Sequence, residues 1–297
     1  MVYPKGPVHP LLRKVGPNMF PAGHSLWISD FANNAVYVYT WPLPSPSATP
    51  VATVTGLNSP QGECVGPGGV VFVTNSGGGS ILVYSHNGTA MPTISDTGAQ
   101  PTGCAYDSGH GKLAVSNDAG GSIALYSGPC CNYSSPTTIT DPSFGQTYFL
   151  GFKPNSDLFV DGKNSSGNVS YCKLPYPAYT VTQIGFTPSN LIGFPGGVQW
   201  DGHYMTVGDQ LAGTVNRVNA LGHLVAGGTT TLTGASSCDV VQDFIGAGAV
   251  PVGNPHRITG PEAACGVPVV FPYFVGLAPV QTTGSSSTQP EGAAVSP

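Results

Sequence analysis

Charge is the scarcest commodity in this chain. Asp, Glu, Lys and Arg make up 8% of the residues, with nine basic and fourteen acidic side chains and a formal net charge of −5. The nine cations form no cluster, so the electrostatic footprint of a nucleic-acid-binding surface is missing. No apolar run approaches the roughly 20 residues of a membrane-spanning helix, and no stretch carries apolar residues at the i, i+3, i+4, i+7 spacing of an amphipathic helix. Several catalytic signatures are absent as well. There is no C-x-x-C pair of a zinc ribbon or thioredoxin-like site. There is no Gly-x-Ser-x-Gly nucleophile elbow and no Gly-x-x-x-x-Gly-Lys-Ser/Thr phosphate loop. The Gly-rich stretches at 77–80 and 120–122 read as turns between strands.

What is abundant is turn chemistry: 42 glycines and 29 prolines in 297 residues, spread along the whole chain. Between them lie short alternating runs of β-branched and aromatic residues, which a disordered chain lacks. Together these predict many short strands in one all-β domain. The seven cysteines, Cys64, Cys104, Cys130, Cys131, Cys172, Cys238 and Cys265, suit an oxidising compartment. Cys64 with Cys104 reads either as a disulfide across neighbouring repeats or as two buried thiols. The Cys130–Cys131 doublet is not expected to bond to itself, because adjacent cysteines are strained as a pair. One of them is expected to reach Cys172, and Cys238 to pair with Cys265. Met1–Phe20 contains Pro4, Pro7, Pro10 and Pro17 and no continuous apolar core. No secretory leader is read there, and a leader absent from this chain is expected. The sequons at Asn87, Asn132, Asn164 and Asn168 match glycosylation acceptors, most of them by chance in so Asn- and Ser-rich a chain.

The chain is internally repetitive, and the repeat determines the reading of the fold. Leu26-Trp27-Ile28-Ser29-Asp30 with Val36-Tyr37-Val38-Tyr39 matches Val71-Phe72-Val73-Thr74-Asn75 with Ile81-Leu82-Val83-Tyr84. It also matches Leu113-Ala114-Val115-Ser116-Asn117 with Ile123-Ala124-Leu125-Tyr126. Weaker copies begin at Leu158 and Met205. Each unit is a strand, a Gly/Asn-rich turn and a second strand, a hairpin signature. Asp30, Asn75, Asn117 and Asp209 stand where the first strand enters its turn, a place that suits short Asx side chains. A Pro-x-Gly strand start precedes several hairpins: Pro60-Gln61-Gly62, Pro101-Thr102-Gly103 and Pro195-Gly196-Gly197, with Tyr148 in the corresponding place of another unit. A fourth strand follows each hairpin, giving units of propeller-blade size. Pro290-Glu291-Gly292 at the end supplies the strand start that the first unit, entering at Leu26, lacks. The expected architecture is therefore an irregular leader, 1–25, and one β-propeller, 26–297. It has six four-stranded antiparallel blades (26–58 plus 290–297, 59–99, 100–144, 145–193, 194–236 and 237–289), closed by the C-terminal strand. Trp27, Tyr37, Tyr39, Tyr84 and Tyr126 are expected in the core between blades. The stretch 244–261, with Pro251 and Pro255, reads poorly as strand.

These strand starts and aliphatic-x-Val-x-Asp/Asn strands resemble the NHL-repeat family and, more distantly, the gluconolactonase and strictosidine-synthase-like propellers, over residues 26–243 and 265–297. The resemblance implies an interaction platform in the first case. In the second it implies a lactone or ester hydrolase holding one divalent cation, such as Ca2+, in the central channel. That family's channel ligands, carried over by position, fall on Gln61, Thr102, Tyr148, Gly196, Glu291 and either Asp239 or Val240. Glu291 alone keeps the family's acidic character, and six to eight oxygens around calcium are not in sight. The expectation is thus a monomeric, extracellular or periplasmic binding propeller. It would take a small ligand, glycan or protein at a channel mouth formed by Gln61, Thr102, Tyr148, Asp239 and Glu291. A metal-dependent hydrolase centred on Glu291 and a diverged protein without activity are the alternatives.

Overall fold

The computed structural model describes residues 24–41, 48–96, 100–133 and 135–232. It also describes strand backbone at Leu11–Lys14, Asp243–Phe244, Arg257–Gly260, Val269–Pro272, Gln281–Thr282 and Pro290–Ser296. All the pairing is antiparallel within sheets whose strands follow chain order outward. The second blade runs Pro60–Val65, Val71–Asn75, Ser80–Tyr84, Ala90–Ser95. The third runs Pro101–Asp107, Lys112–Asn117, Ser122–Ser127, Thr137–Thr140. The fourth runs Gln146–Phe152, Leu158–Lys163, Val169–Leu174, Thr182–Gln183, and the fifth Pro195–Trp200, Met205–Asp209, Thr214–Val218, Leu224–Thr231.

The first blade departs from this scheme. Its order is Leu11–Lys14, Ala52–Thr55, Ala35–Thr40, Ser25–Asp30, Pro290–Ser296. Ser25 pairs with Ser296 and Asp30 with Pro290, while Leu11 pairs with Thr55 on the far edge. The expectation of six four-stranded blades is corrected on both counts. The described residues build five full blades, and one of these has five strands. Where a sixth equal blade was expected there is a sheet whose strands are only two to four residues long. Pro251, Pro255, Pro261 and Pro268 break the sequence between those strands, and each proline removes a ladder donor. A ring closed through six equal blades is therefore not carried further.

The inner strands of the five full blades stand side by side in the order Pro290–Ser296, Pro60–Val65, Pro101–Asp107, Gln146–Phe152, Pro195–Trp200. Every one carries a register shift just after its start, for example between Pro60 and Glu63 and between Pro195 and Val198. Such a bulge adds local twist. Apolar clusters fill the spaces between blades. Trp27, Val36 and Val54 meet Val71, Val73 and Tyr84, and Phe72, Ile81 and Val83 meet Leu113, Val115 and Tyr126. Trp27, Tyr39, Tyr84 and Tyr126 are fully buried, whereas Tyr37 is half-buried. Burying each such ring contributes about 1.5–3 kcal/mol.

Two cysteine expectations are settled. Cys64 and Cys104 form a disulfide across the second and third blades, with Cα atoms 5.6 Å apart. The doublet corrects the reading above: Cys130 and Cys131 are bonded to each other, and Cys172 is a free, buried thiol. The peptide between Cys130 and Cys131 is cis, and their Cα atoms are 3.0 Å apart. Cys238 and Cys265 lie outside the described residues. Among the described residues no helix is long and apolar enough to cross a membrane.

Candidate functional site

The second strand of each of the first three blades carries a hydroxyl residue one position before the Asx site, and this residue stitches the blade to its neighbour. Thr74 Oγ1 accepts from the Gly62 N–H at 2.8 Å and donates to the Thr102 carbonyl at 2.9 Å. Ser116 Oγ accepts from Gly103 N–H at 2.9 Å and donates to the Tyr148 carbonyl at 2.6 Å. Ser29 Oγ donates to the Gln61 carbonyl. The middle residues of the Pro-x-Gly starts thus offer their backbone oxygens to the preceding blade. The following glycine is needed because the strands come so close: a Cβ on Gly103 would lie 2.6 Å from the Tyr148 carbonyl.

In the fourth blade the station is occupied by Asp161. Its Oδ1 accepts from the Phe149 N–H at 3.1 Å, and Gly196, the middle residue of the next Pro-x-Gly, also donates from its backbone. The carboxyl is 2% exposed, and among the described residues Oδ2 has no hydrogen-bond partner. Burial pushes its pKa well above the ordinary carboxylate range, against the pull of the two N–H donors.

Of the residues expected at the channel mouth, Gln61, Thr102 and Tyr148 stand near the starts of adjacent inner strands. Gln61 is half-buried and Thr102 buried, its hydroxyl turned to the Gln100 carbonyl at 3.0 Å. Tyr148 donates to Gln146 Oε1 at 2.9 Å and stacks on Phe194, with centroids 6.0 Å apart. Burial, then Asp118 and Asp161, push its phenol up to about 12. Asp239 and the side chain of Glu291 lie outside the described residues. Among the described residues no group of three or more His, Cys, Asp or Glu could hold a metal ion.

A cavity of about 610 Å³ opens further along the same inner strands. Gly62–Val65, Gly103–Ser108, Phe149–Pro154, Gly197–Trp200, Gly202 and Ala293–Ala294 line it, and none of Gln61, Thr102 or Tyr148 does. Its aromatic wall is Tyr106, Phe149, Phe152 and Trp200. Its charged groups are Glu63, only 8% exposed, Asp107 and Lys153. A Cβ on Gly292 would collide with the Glu63 carboxylate, so glycine lets the first blade's inner strand pack against it. Asp107 is buried and committed: Oδ1 accepts from Gly109 N–H at 2.9 Å and Oδ2 lies 3.2 Å from His110 Nδ1. The Cys64–Cys104 bond lies in the wall. Pattern reading missed Tyr106, Phe152, Lys153 and Trp200 because it stopped at the strand starts. The signal available was their place at the far ends of the same inner strands, or just past one in the case of Lys153.

No protein-family model matches the chain, and no curated protein matches it. Solved structures do. A chain of a nidogen–laminin complex is 14% identical, with a TM-score of 0.69, covering 93% of this chain and 99% of that one. A catalytically inactive virginiamycin B lyase from Staphylococcus aureus, with quinupristin, is 11% identical with a TM-score of 0.58 and covers 96% of each chain. A streptogramin B lyase is 13% identical, with a TM-score of 0.54 over 84% of this chain and 70% of that one. At such identities the likeness is one of fold, and this chain is a β-propeller.

Proposed function

We propose that the protein is an extracellular, NHL-like binding propeller whose site is the inner-strand cavity and whose ligand is a small organic molecule. The observation that carries this reading is the cavity itself. Its volume falls in the range of small-molecule sites, and its wall sets aromatic and apolar side chains among polar groups that could orient a ligand. The disulfides support an oxidising compartment. Exposed sequon asparagines at Asn87, Asn132 and Asn168 are compatible with one. The solved neighbours show that such a fold can serve in a protein complex or as a lyase, so the fold alone does not choose. The hydrolase alternative has no supporting constellation among the described residues.

The test is a thermal-unfolding screen of metabolites and short peptides. A ligand at a hundredfold excess over its dissociation constant stabilises the folded state by about 2.7 kcal/mol. Hits are expected to raise the melting temperature of the wild-type chain and to lose that effect in Trp200→Ala. A screen whose hits all survive Trp200→Ala would sink the reading.

A further inference from the structure

The charges around the cavity divide unequally, and this points to the chemistry of the ligand. Besides Glu63 in the cavity wall, three buried carboxylates stand on this face, and each of the three is taken. Asp107 holds His110 and the Gly109 N–H. Asp157 pairs with Lys173 at 2.7 Å and accepts from the Tyr176 N–H at 3.1 Å. Asp201 pairs with Arg217 and accepts from the His203 and Tyr204 N–H groups at 2.8 and 2.7 Å. Lys153, which follows the fourth blade's inner strand and lines the cavity, has no carboxylate partner among the described residues. Its Nζ lies 5.1 Å from the centroid of the Trp200 ring, which also lines the cavity. An aromatic face attracts a cation without neutralising it, so Lys153 keeps a full charge to offer.

We propose that the cavity takes an organic anion with a flat apolar body, its acidic group seated on Lys153 and its rings against Trp200. This rests on the reading of the cavity as the binding site and names the ligand class. A charge-assisted hydrogen bond from the ammonium supplies orientation. Glu63, on the second blade's strand, opposes a second acidic group, so the ligand carries its acid at one end.

The experiment compares two fluorescent probes that share a ring system: anilinonaphthalene sulfonate, an anion, and phenylnaphthylamine, which lacks the sulfonate. On the folded wild-type chain the sulfonate is expected to bind about tenfold more tightly, and the preference to shrink as salt rises. Lys153→Met should remove the preference and leave phenylnaphthylamine binding unchanged, and Lys153→Arg should keep it. Lys112→Met is the control, because Lys112 lies over Tyr179 and donates to Ser127 Oγ at 3.1 Å, away from the cavity wall. A preference that persists in Lys153→Met, or equal binding of both probes to wild type, overturns the anion assignment alone. Failure of both probes to bind wild type overturns the cavity reading and the assignment with it.

Discussion

Thr74, Ser116 and Asp161 occupy one structural station, and their differences can be measured. Thr74→Val keeps the shape and deletes the hydroxyl, stranding the Gly62 N–H and the Thr102 carbonyl. The expected loss is about 1–3 kcal/mol in denaturant unfolding. Asp161 brings a titratable group to the same place. An unfolded aspartate ionises near about 3.9, and burial raises the folded value well above the ordinary range. Between the two values the folded chain keeps a proton that the unfolded chain has released, so this group lowers stability as pH rises. Asp161→Asn removes that dependence. Relative to wild type its stability should be higher when measured at about pH 7 than when measured at about pH 4. Unfolding curves at the two pH values check this, and parallel pH profiles for the two proteins would refute it. The sequence showed a hydroxyl before the Asx residue in the first three repeats. It did not show its purpose, because the partner carbonyl belongs to the next blade, 28 residues away from Thr74 and 32 from Ser116.

The inner strands explain what was legible in the elements and what was not. The Pro-x-Gly starts stood out because proline suits the first residue of a strand and because glycine is required where backbones nearly touch. Gly62 would bring a Cβ to 2.6 Å from the Thr102 carbonyl. The fourth blade hid this rule, since Phe149 stands in the glycine's place and the tight approach moves to Gly151. The strand Leu11–Lys14 was invisible for a different reason. It has only four residues, and Pro10 and Pro17 near it read as an irregular leader. The Cys64–Cys104 bond ties two inner strands and closes a loop of sequence separation 40. In the chain-entropy account its loss costs about 4 kcal/mol. The Cys64→Ser/Cys104→Ser protein should therefore unfold at clearly lower denaturant than wild type. An unchanged midpoint would mean that the bond contributes nothing beyond the packing around it. Cys172 should stay unalkylated in the folded protein, being buried, with its thiol pushed up to about 11.

At the scale of the molecule, five full blades bring their inner strands to a common centre. The cavity runs along those strands from the close-packed glycines, Gly62 and Gly103, to their far ends. Apolar clusters between blades hold the walls in place, so the site is built on strands rather than on loops, which favours a preformed geometry. Trp200 is its built-in reporter. Of the chain's three tryptophans, Trp27 and Trp41 are buried, whereas Trp200 is half-exposed and lines the cavity. The most direct measurement is acrylamide quenching of tryptophan fluorescence in wild type and Trp200→Phe, with and without a bound probe. An open, ligand-accepting cavity predicts that most quenching disappears in Trp200→Phe and that a probe shields Trp200 in wild type. Quenching that is indifferent to both the substitution and the probe would contradict it.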